Sequence, residues 1–231
     1  MASFRTSGIT FTTASGTKTV VLTPAAGDLP VIVCANTGQN GAPGISDNNT
    51  NGASGNYSLI TSARKNASAD LMQIYVRNTL ITNTNSTTFT MTPGTTTGGG
   101  LCVLMISGMP RMGANAVRGS GASANQSAAT PTVSWGQAAL TGNLVLGAVF
   151  NATTTAATMT PPSGWSERHD VGYSTPTTGL EVATDDSGET RLTIPWGSAS
   201  ASAYCAMIVE MDTTTPTMPP QTLSVPMRAN G

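Results

Sequence analysis

Apolar and polar residues follow a strand-like pattern along most of this chain. Residues 9–12 and 89–92 alternate between apolar and polar side chains, and a period of two places one row of side chains on each face of a strand. No stretch of about twelve residues shows the three-four spacing of a surface helix. Short apolar runs bounded by Gly, Pro, Asn or Thr occupy residues 18–22, 29–35, 71–76, 101–106, 144–150 and 205–211. The pattern predicts an all-β protein with antiparallel strands.

Parts of the sequence occur twice. The stretch that begins at Gly27, GDLPVIVCAN, returns from Gly142 as GNLVLGAVFN, and a second match places Cys102 level with Cys205. Repetition at roughly a hundred residues is typical of two similar domains, because solenoid repeats are much shorter. We therefore predict two tandem antiparallel β-sandwich domains, of the jelly-roll or immunoglobulin-like type, that arose by internal duplication.

The composition suggests where these domains begin and end. We place the first β-sandwich at residues 1–110 and the second at 128–212. Residues 111–127 are rich in Gly, Ser and Ala without an apolar period, which predicts a flexible linker. Residues 213–231 contain four prolines and are interpreted as an extended arm that docks on a neighbouring subunit with little loss of entropy. A frayed tail is the alternative.

The chain is poor in charge. Of 231 residues, 39% are hydrophobic and only 9% are charged, and the net charge is −1. Such a weak field disfavours binding to nucleic acid or to an anionic membrane, and suits permanent packing against protein. Three cysteines without paired spacing predict free, buried thiols. We also expect a soluble chain made in the cytoplasm, since neither a secretion signal nor an apolar run of membrane-spanning length is present.

The sequence offers little for catalysis. His169 is the single histidine, and no nucleophile motif or zinc-ligand spacing accompanies it. We expect no enzymatic activity and no cofactor. One weak calcium candidate exists, because Asp47, Asn49 and Asn51 alternate before the turn residue Gly52 as oxygen ligands do in a calcium loop. A loop that caps its own turns explains the same residues.

Two tryptophans are candidates for ligand binding. Exposed rings of Trp165 and Trp196 could form a platform for a glycan. Trp165 and Tyr57 occupy equivalent positions in the repeat, however, and that equivalence favours a role in the core.

Residues at both ends and in the linker are candidates for assembly contacts. They combine scarce arginines, which suit paired contacts with a carboxylate of a neighbouring subunit, with apolar residues that neither repeat needs for its core. The candidate contact residues are Phe4, Arg5, Arg111, Arg118, Leu223, Val225, Met227 and Arg228.

The second half contains segments with a recognisable character. GNLVLGAV from Gly142, PPSGWSE from Pro161, GLEVA from Gly179 and AYCAMIVEM from Ala203 resemble the repeated β-sandwich segments of tailed-bacteriophage virion proteins, the head-decoration and the tail or fibre components. The first half shows the resemblance less clearly.

The resemblance implies a non-enzymatic structural protein of a virion. We expect a capsid decoration or cement protein that stabilises the shell through protein–protein contacts, with the major capsid protein or other virion subunits as partners and with self-association in the assembly. The alternative is a tail or fibre component that binds a host receptor or glycan.

Overall fold

The computed structural model describes residues 1–39, 41–50, 52–53, 55–65, 69–94, 97–152, 159–174, 177–198 and 202–215. Almost all regular structure in these residues is β-strand, which confirms the predicted all-β class. The strands are β1 (Ser3–Thr12), β2 (Lys18–Leu22), β3 (Leu29–Thr37), β4 (Gly44–Asp47), β5 (Tyr57–Arg64), β6 (Leu71–Arg77), β7 (Thr87–Thr92), β8 (Gly98–Ser107), β9 (Val117–Ala128), β10 (Thr132–Ser134), β11 (Leu144–Asn151), β12 (Met159–Thr160), β13 (Ser166–Ser174), β14 (Thr177–Asp185), β15 (Thr193–Pro195), β16 (Gly197–Ser198) and β17 (Ser202–Met211). One 3₁₀ turn, η1 (Gly113–Ala116), precedes β9.

The molecule has four antiparallel layers. Two five-stranded main sheets pack face to face in the middle, and smaller sheets cover their outer faces: β2-β7-β4 on the first main sheet, β10-β15 and β12-β16 on the second. The central apolar cluster draws on both halves and includes Val31, Leu104, Leu146 and Val209. Full burial of such side chains stabilises the fold by about 1.5–3 kcal/mol each. The two halves therefore share a core.

The two main sheets have the same strand order. It is β1-β8-β3-β6-β5 in the first half and β9-β17-β11-β14-β13 in the second. The bulges match as well: Arg5 and Arg118 are the extra residues in β1 and β9, and Ile60 and Arg168 are those in β5 and β13. The repeat in the sequence thus corresponds to a repeat of topology, while duplication as its origin stays a prediction.

The pairing register corrects one equivalence. Counted from the turns before β3 and β11, Val33 occupies the same position as Ala148. Val33 pairs with Cys102, whereas Ala148 pairs with Met207, so Cys102 corresponds to Met207 and not to Cys205. The predicted superposition of the two cysteines is wrong by two residues. A shift of the strand register by two residues leaves every side chain on the same face of the sheet. The apolar pattern alone therefore does not determine the register.

Residues 111–127 form structure where a linker was predicted. The chain passes through η1 and enters β9, which pairs with β17 along most of its length. Gly and Ala favour strands weakly, but β17 is a buried strand whose backbone groups need partners. Pairing with β17 thus overrides the local composition.

The edges of the two main sheets meet in two seams. β1 lies beside β13, and β5 lies beside β9. Across the first seam the rings of Phe11 and Tyr173 lie 5.0 Å apart between centroids. Because β1 corresponds to β9 and β5 to β13, exchanging the halves turns one seam into the other, as in an isologous dimer.

The three cysteines behave as predicted. Cys34, Cys102 and Cys205 are free and buried, and burial raises the pKa of each thiol. Protonated buried thiols are poor nucleophiles, so the three act as small apolar side chains.

Candidate assembly surface

Arg5 and Arg118, whose predicted contact with a neighbouring subunit stays a prediction, close equivalent corners of their own chain. Arg5 forms an ion pair with Asp28, and Nη1 of Arg118 lies 2.6 Å from Oε2 of Glu210. Both carboxylates are at most 1% exposed. A bulge re-aims the side chain of the extra residue, and here it directs each guanidinium onto a buried carboxylate.

Each corner also holds the turn that leads into the central strand of its sheet. Gly27 and Gly142 adopt φ of 87° and 84° in these turns, a conformation that glycine adopts without strain. The backbone N–H of Ala25 donates to Asp28 at 2.7 Å, and that of Leu140 donates to Glu210 at 2.8 Å. The equivalent turn is thus tied to a carboxylate of the turn itself, Asp28, in the first half and to a carboxylate of β17, Glu210, in the second.

Phe4 and Arg111 are held within the chain as well. Phe4 is buried against the central core, with the guanidinium of Arg168 5.6 Å from its ring centroid. Arg111 forms an ion pair of 3.2 Å with Asp212. The other four predicted contact residues, Leu223, Val225, Met227 and Arg228, lie outside the described residues.

The two ends of the described chain meet in one groove. Met1 and Ala2 line it from one side, and Thr213 and Thr214 from another. The turn residues 140–143 complete it, and the volume is about 670 Å³. Met1 is fully exposed and Leu140 is 44% exposed. Both ends of the described chain therefore open onto a common surface next to the Arg118–Glu210 corner.

The free edge of β9 is a second exposed feature. Residues 118–120 separate two shallow concavities of about 250 and 320 Å³. Leu59 and Ile60 of β5 line the first, and Trp135 and Gln137 line the second. Leu59 is 46% exposed.

The calcium candidate is occupied by protein groups. The side chain of Asp47 is fully buried and pairs with Nε of Arg77 at 2.9 Å, and the hydroxyl of Tyr57 donates to it at 2.5 Å. The backbone N–H of Asn49 donates to the same carboxylate at 2.8 Å, so the loop caps its own turn. A carboxylate neutralised by arginine is a poor cation ligand, so these contacts favour the alternative of a self-capping loop for Asp47 and Asn49. Asn51 lies outside the described residues.

The tryptophans do not form an exposed platform. Trp165 is 8% exposed and Trp196 is 0% exposed, and both pack in the cluster beneath the outer layer of the second half. Nε1 of Trp165 donates to Glu189 at 2.8 Å, and Glu189 pairs with Arg191. Tyr57 donates to the Asp47–Arg77 pair in the corresponding way, so the equivalence of Tyr57 and Trp165 does reflect a shared core role.

His169 lies in the seam between β1 and β13. Its Nε2 is 3.0 Å from the hydroxyl oxygen of Ser7, and burial, with a smaller effect of Arg168, lowers the pKa of the imidazole. This distance would suit a nucleophile and its base. None of the described concavities is lined by either residue, so the pair joins the two halves as a hydrogen bond between sheets.

Lys65 and Glu181 are two of the buried charged residues that were not singled out from the sequence. Lys65 is 3% exposed and donates to the backbone oxygen of Asn151 at 3.2 Å and to Oγ1 of Thr178 at 3.1 Å, which ties the first half to the second. Glu181 is 0% exposed, and neither carboxylate oxygen has a hydrogen-bond partner among the described residues. Burial, with the charges of Asp170 and Glu167, raises its pKa to about 8.

A sequence signal for such residues exists. Glu181 and Glu210 each interrupt an apolar run that the structure shows to be a buried strand. A charged residue at such a position needs a partner or a shifted pKa, because burying an isolated charge is costly.

No family model, no curated protein and no solved structure matches this chain. Among the described residues, no helix is long and apolar enough to cross a membrane, and no group of three or more His, Cys, Asp or Glu side chains is placed to hold a metal ion.

Proposed function

We propose that this chain is a non-enzymatic structural protein of a tailed-bacteriophage virion that decorates or cements the capsid shell. The virion setting is supported by the resemblance of the segments from Gly142 to Met211. The assembly role is supported by one observation above the others, the groove in which both ends of the described chain meet.

The groove suits docking between protein subunits. It lies beside an ion pair that holds its walls in place, and its exposed side chains are apolar or uncharged. A surface with few charges loses little solvation free energy when another protein covers it. Residues 216–231 continue from Thr215, next to the groove, and their prolines reduce the entropy that an extended arm loses on docking.

The folded body of the protein also suits a structural role in an assembly. The two halves share one core and are joined by two seams. A force that acts on one half is therefore transmitted to the other half. Many copies that each bury a modest area can add substantial stability to a shell, because the contacts act together.

Location and copy number in a purified virion test the proposal. Quantitative mass spectrometry and cryo-electron microscopy should find the protein on the outside of the head, in numbers comparable with those of the shell subunit. A few copies at the tail would support the tail or fibre alternative, and absence from the particle would contradict both.

A further inference from the structure

The groove at the ends of the described chain has a counterpart in the other half of the molecule. Counted from the equivalent residues Cys102 and Met207, Thr214 in one wall of the groove occupies the position of Met109. In the first half the chain continues from this position through η1 and into β9. One wall of the groove thus corresponds to the start of the connection between the two halves.

The opposite wall corresponds to the end of the same connection. Counted from the equivalent bulge residues Arg5 and Arg118, Met1 occupies the position of Ala114. Residues 110–113 bridge the two corresponding positions in the first half. In the described part of the chain, the two walls of the groove are not joined covalently, and a volume of about 670 Å³ lies between them. The groove therefore lies where a chain segment runs in the other half.

The connection in the first half shows which residues suit such a place. Met109 is 4% exposed and belongs to the central apolar cluster, and Pro110 follows it. The C-terminal arm, residues 216–231, lies outside the described residues, but its sequence places an apolar residue before proline twice, at Met218–Pro219 and at Val225–Pro226. The arm thus has the residue types that occupy the counterpart of the groove.

The end of the described chain departs from the path of the connection. The backbone N–H of Thr214 donates to the carboxylate of Asp212 at 3.0 Å, and its hydroxyl donates to the same oxygen at 2.5 Å. This local turn leaves Thr214 and Thr215 exposed, whereas Met109 is buried at the position equivalent to Thr214. Three prolines within residues 216–220 oppose a reversal of the chain. The groove is therefore left open to a segment of another molecule.

We propose that the groove receives the C-terminal arm of a second copy of this chain, and that two copies exchange their arms. At about 3.1 Å per residue, the stretch from 216 to 225 can reach about 31 Å when extended, which is enough to cross to a neighbouring molecule. Each chain has one groove and one arm, so exchange closes a symmetric pair with two equal contacts that reinforce each other. We base this assignment on the docking role proposed for the groove.

The groove is preformed for such a segment. Nδ2 of Asn143 donates to Glu210 at 2.6 Å, and Oδ1 of Asn143 accepts from the hydroxyl of Thr213 at 2.8 Å. Walls that are already held in place lose little entropy when a segment binds. Leu140 is 44% exposed and Met1 is fully exposed, so an apolar side chain that enters the groove removes apolar surface from water.

Sedimentation equilibrium of the purified full-length chain tests the groove. The wild-type chain should show a monomer–dimer equilibrium. Leu140→Asp places a charge in the groove and should weaken association by about tenfold or more. Leu192→Asp is the matched control, because Leu192 is 54% exposed and does not line the groove. This control should associate as the wild type does.

A second pair of variants tests the arm. The double variant M218D/V225D should weaken association to a similar extent, whereas T217D/S224D, which adds the same charge at the preceding polar positions, should not. Mixing Leu140→Asp with M218D/V225D distinguishes exchange from an arm that folds back onto its own groove. The first chain keeps an intact arm and the second an intact groove, so the mixture should associate more strongly than either variant alone.

Hydrogen exchange keeps the test informative if a variant fails to fold. In the wild-type chain, exchange of peptides covering 138–143 should slow as protein concentration rises, while peptides covering β5 should be unaffected. A chain that stays monomeric at every concentration overturns the inference, as does a dimer that tolerates both variants or a mixture that gains nothing. None of these outcomes alters where the protein is found in a virion, so they are distinct from a failure of the proposed function.

Discussion

Three carboxylates with at most 1% of the side chain exposed are each paired with an arginine. Asp28 pairs with Arg5, Asp47 with Arg77, and Glu210 with Arg118. Such a pair adds little over an apolar replacement of both partners, but removal of one partner leaves an uncompensated charge in the interior. Single substitutions at these pairs are therefore sensitive probes of the fold.

The Asp47–Arg77 pair provides the first prediction. Asp47→Asn should lower the free energy of unfolding by about 3–5 kcal/mol, because Arg77 is 0% exposed and loses its counter-charge. Denaturant unfolding measures the loss. Asp186→Asn, at a half-exposed carboxylate, is the control and should cost under about 1 kcal/mol. Equal losses of unfolding free energy in Asp47→Asn and Asp186→Asn would show that burial of the Asp47–Arg77 pair does not contribute to its sensitivity.

Calcium gives an independent check on the same residue. Because Arg77 and Tyr57 already occupy the oxygens of Asp47, we expect neither calcium nor a chelator to shift the thermal midpoint of the wild-type protein. A calcium-dependent rise in that midpoint would restore the cation interpretation of this loop.

Glu181 should make the protein less stable as pH rises. Its pKa is about 8 in the folded protein against an ordinary value of 4.5, so between these values the folded state keeps a proton that the unfolded state loses. By linkage, the free energy of unfolding decreases as pH rises from 4.5 to about 8. The stabilising contribution of the proton bound to Glu181 is complete only below pH 4.5.

Glu181→Gln should remove that dependence. We expect the variant to exceed the wild type in stability by about 1–3 kcal/mol above pH 8, with the gap closing toward acid pH. Unfolding free energies measured across the pH range test this, with Asp186→Asn as a control that retains the slope. Parallel curves for wild type and Glu181→Gln would show that another group titrates.

The burial of individual residues was easier to predict from the sequence than their partners. Burial of the cysteines was predictable, because each lies in an apolar run. The partners of Arg5, Arg77 and Arg118 were not, since each ion pair joins residues more than twenty positions apart. An arginine that is scarce in the sequence indicates a specific contact, but not whether that contact lies within the chain or between chains.

At the scale of elements, the bulges of β1 and β9 explain why two arginines turn inward. Arg118→Ala should cost about 2–4 kcal/mol, because Glu210 is fully buried and would lose its cation. Arg168→Ala is the comparison: this residue also occupies a bulge, but its carboxylate partner Asp186 is 52% exposed at 3.8 Å. We expect under about 1 kcal/mol there. Thermal or denaturant unfolding distinguishes the two.

Elements with apolar runs were predictable, whereas β9 was not. Strands β3, β6, β8 and β11 are buried along most of their length, and their sequences show it directly. β9 has no such pattern, since its strand conformation comes from pairing with β17. Strand order was predictable only as a repeat, and the exact register required the pairing itself.

At the scale of the whole molecule, the proposed arm can be separated from the folded body. Deletion of residues 216–231 should leave the thermal midpoint of the isolated protein nearly unchanged, because every described strand ends by Met211. The same deletion should abolish retention on virions. Calorimetry and particle-binding assays measure the two effects, and a truncated protein that still occupies particles fully would show that the arm is dispensable.

The shared central core means that neither half is a complete folding unit. A fragment of residues 1–112 would leave the inner face of its main sheet, including Val31, Val33 and Leu104, open to water. Because the second half presents the same strand order to that face, two copies of the fragment could take the places of the two halves. We expect the fragment to be recovered as a symmetric dimer whose unfolding depends on protein concentration. The covalent connection between the two halves of the full chain then acts as a tether, because it converts a bimolecular assembly into an intramolecular one.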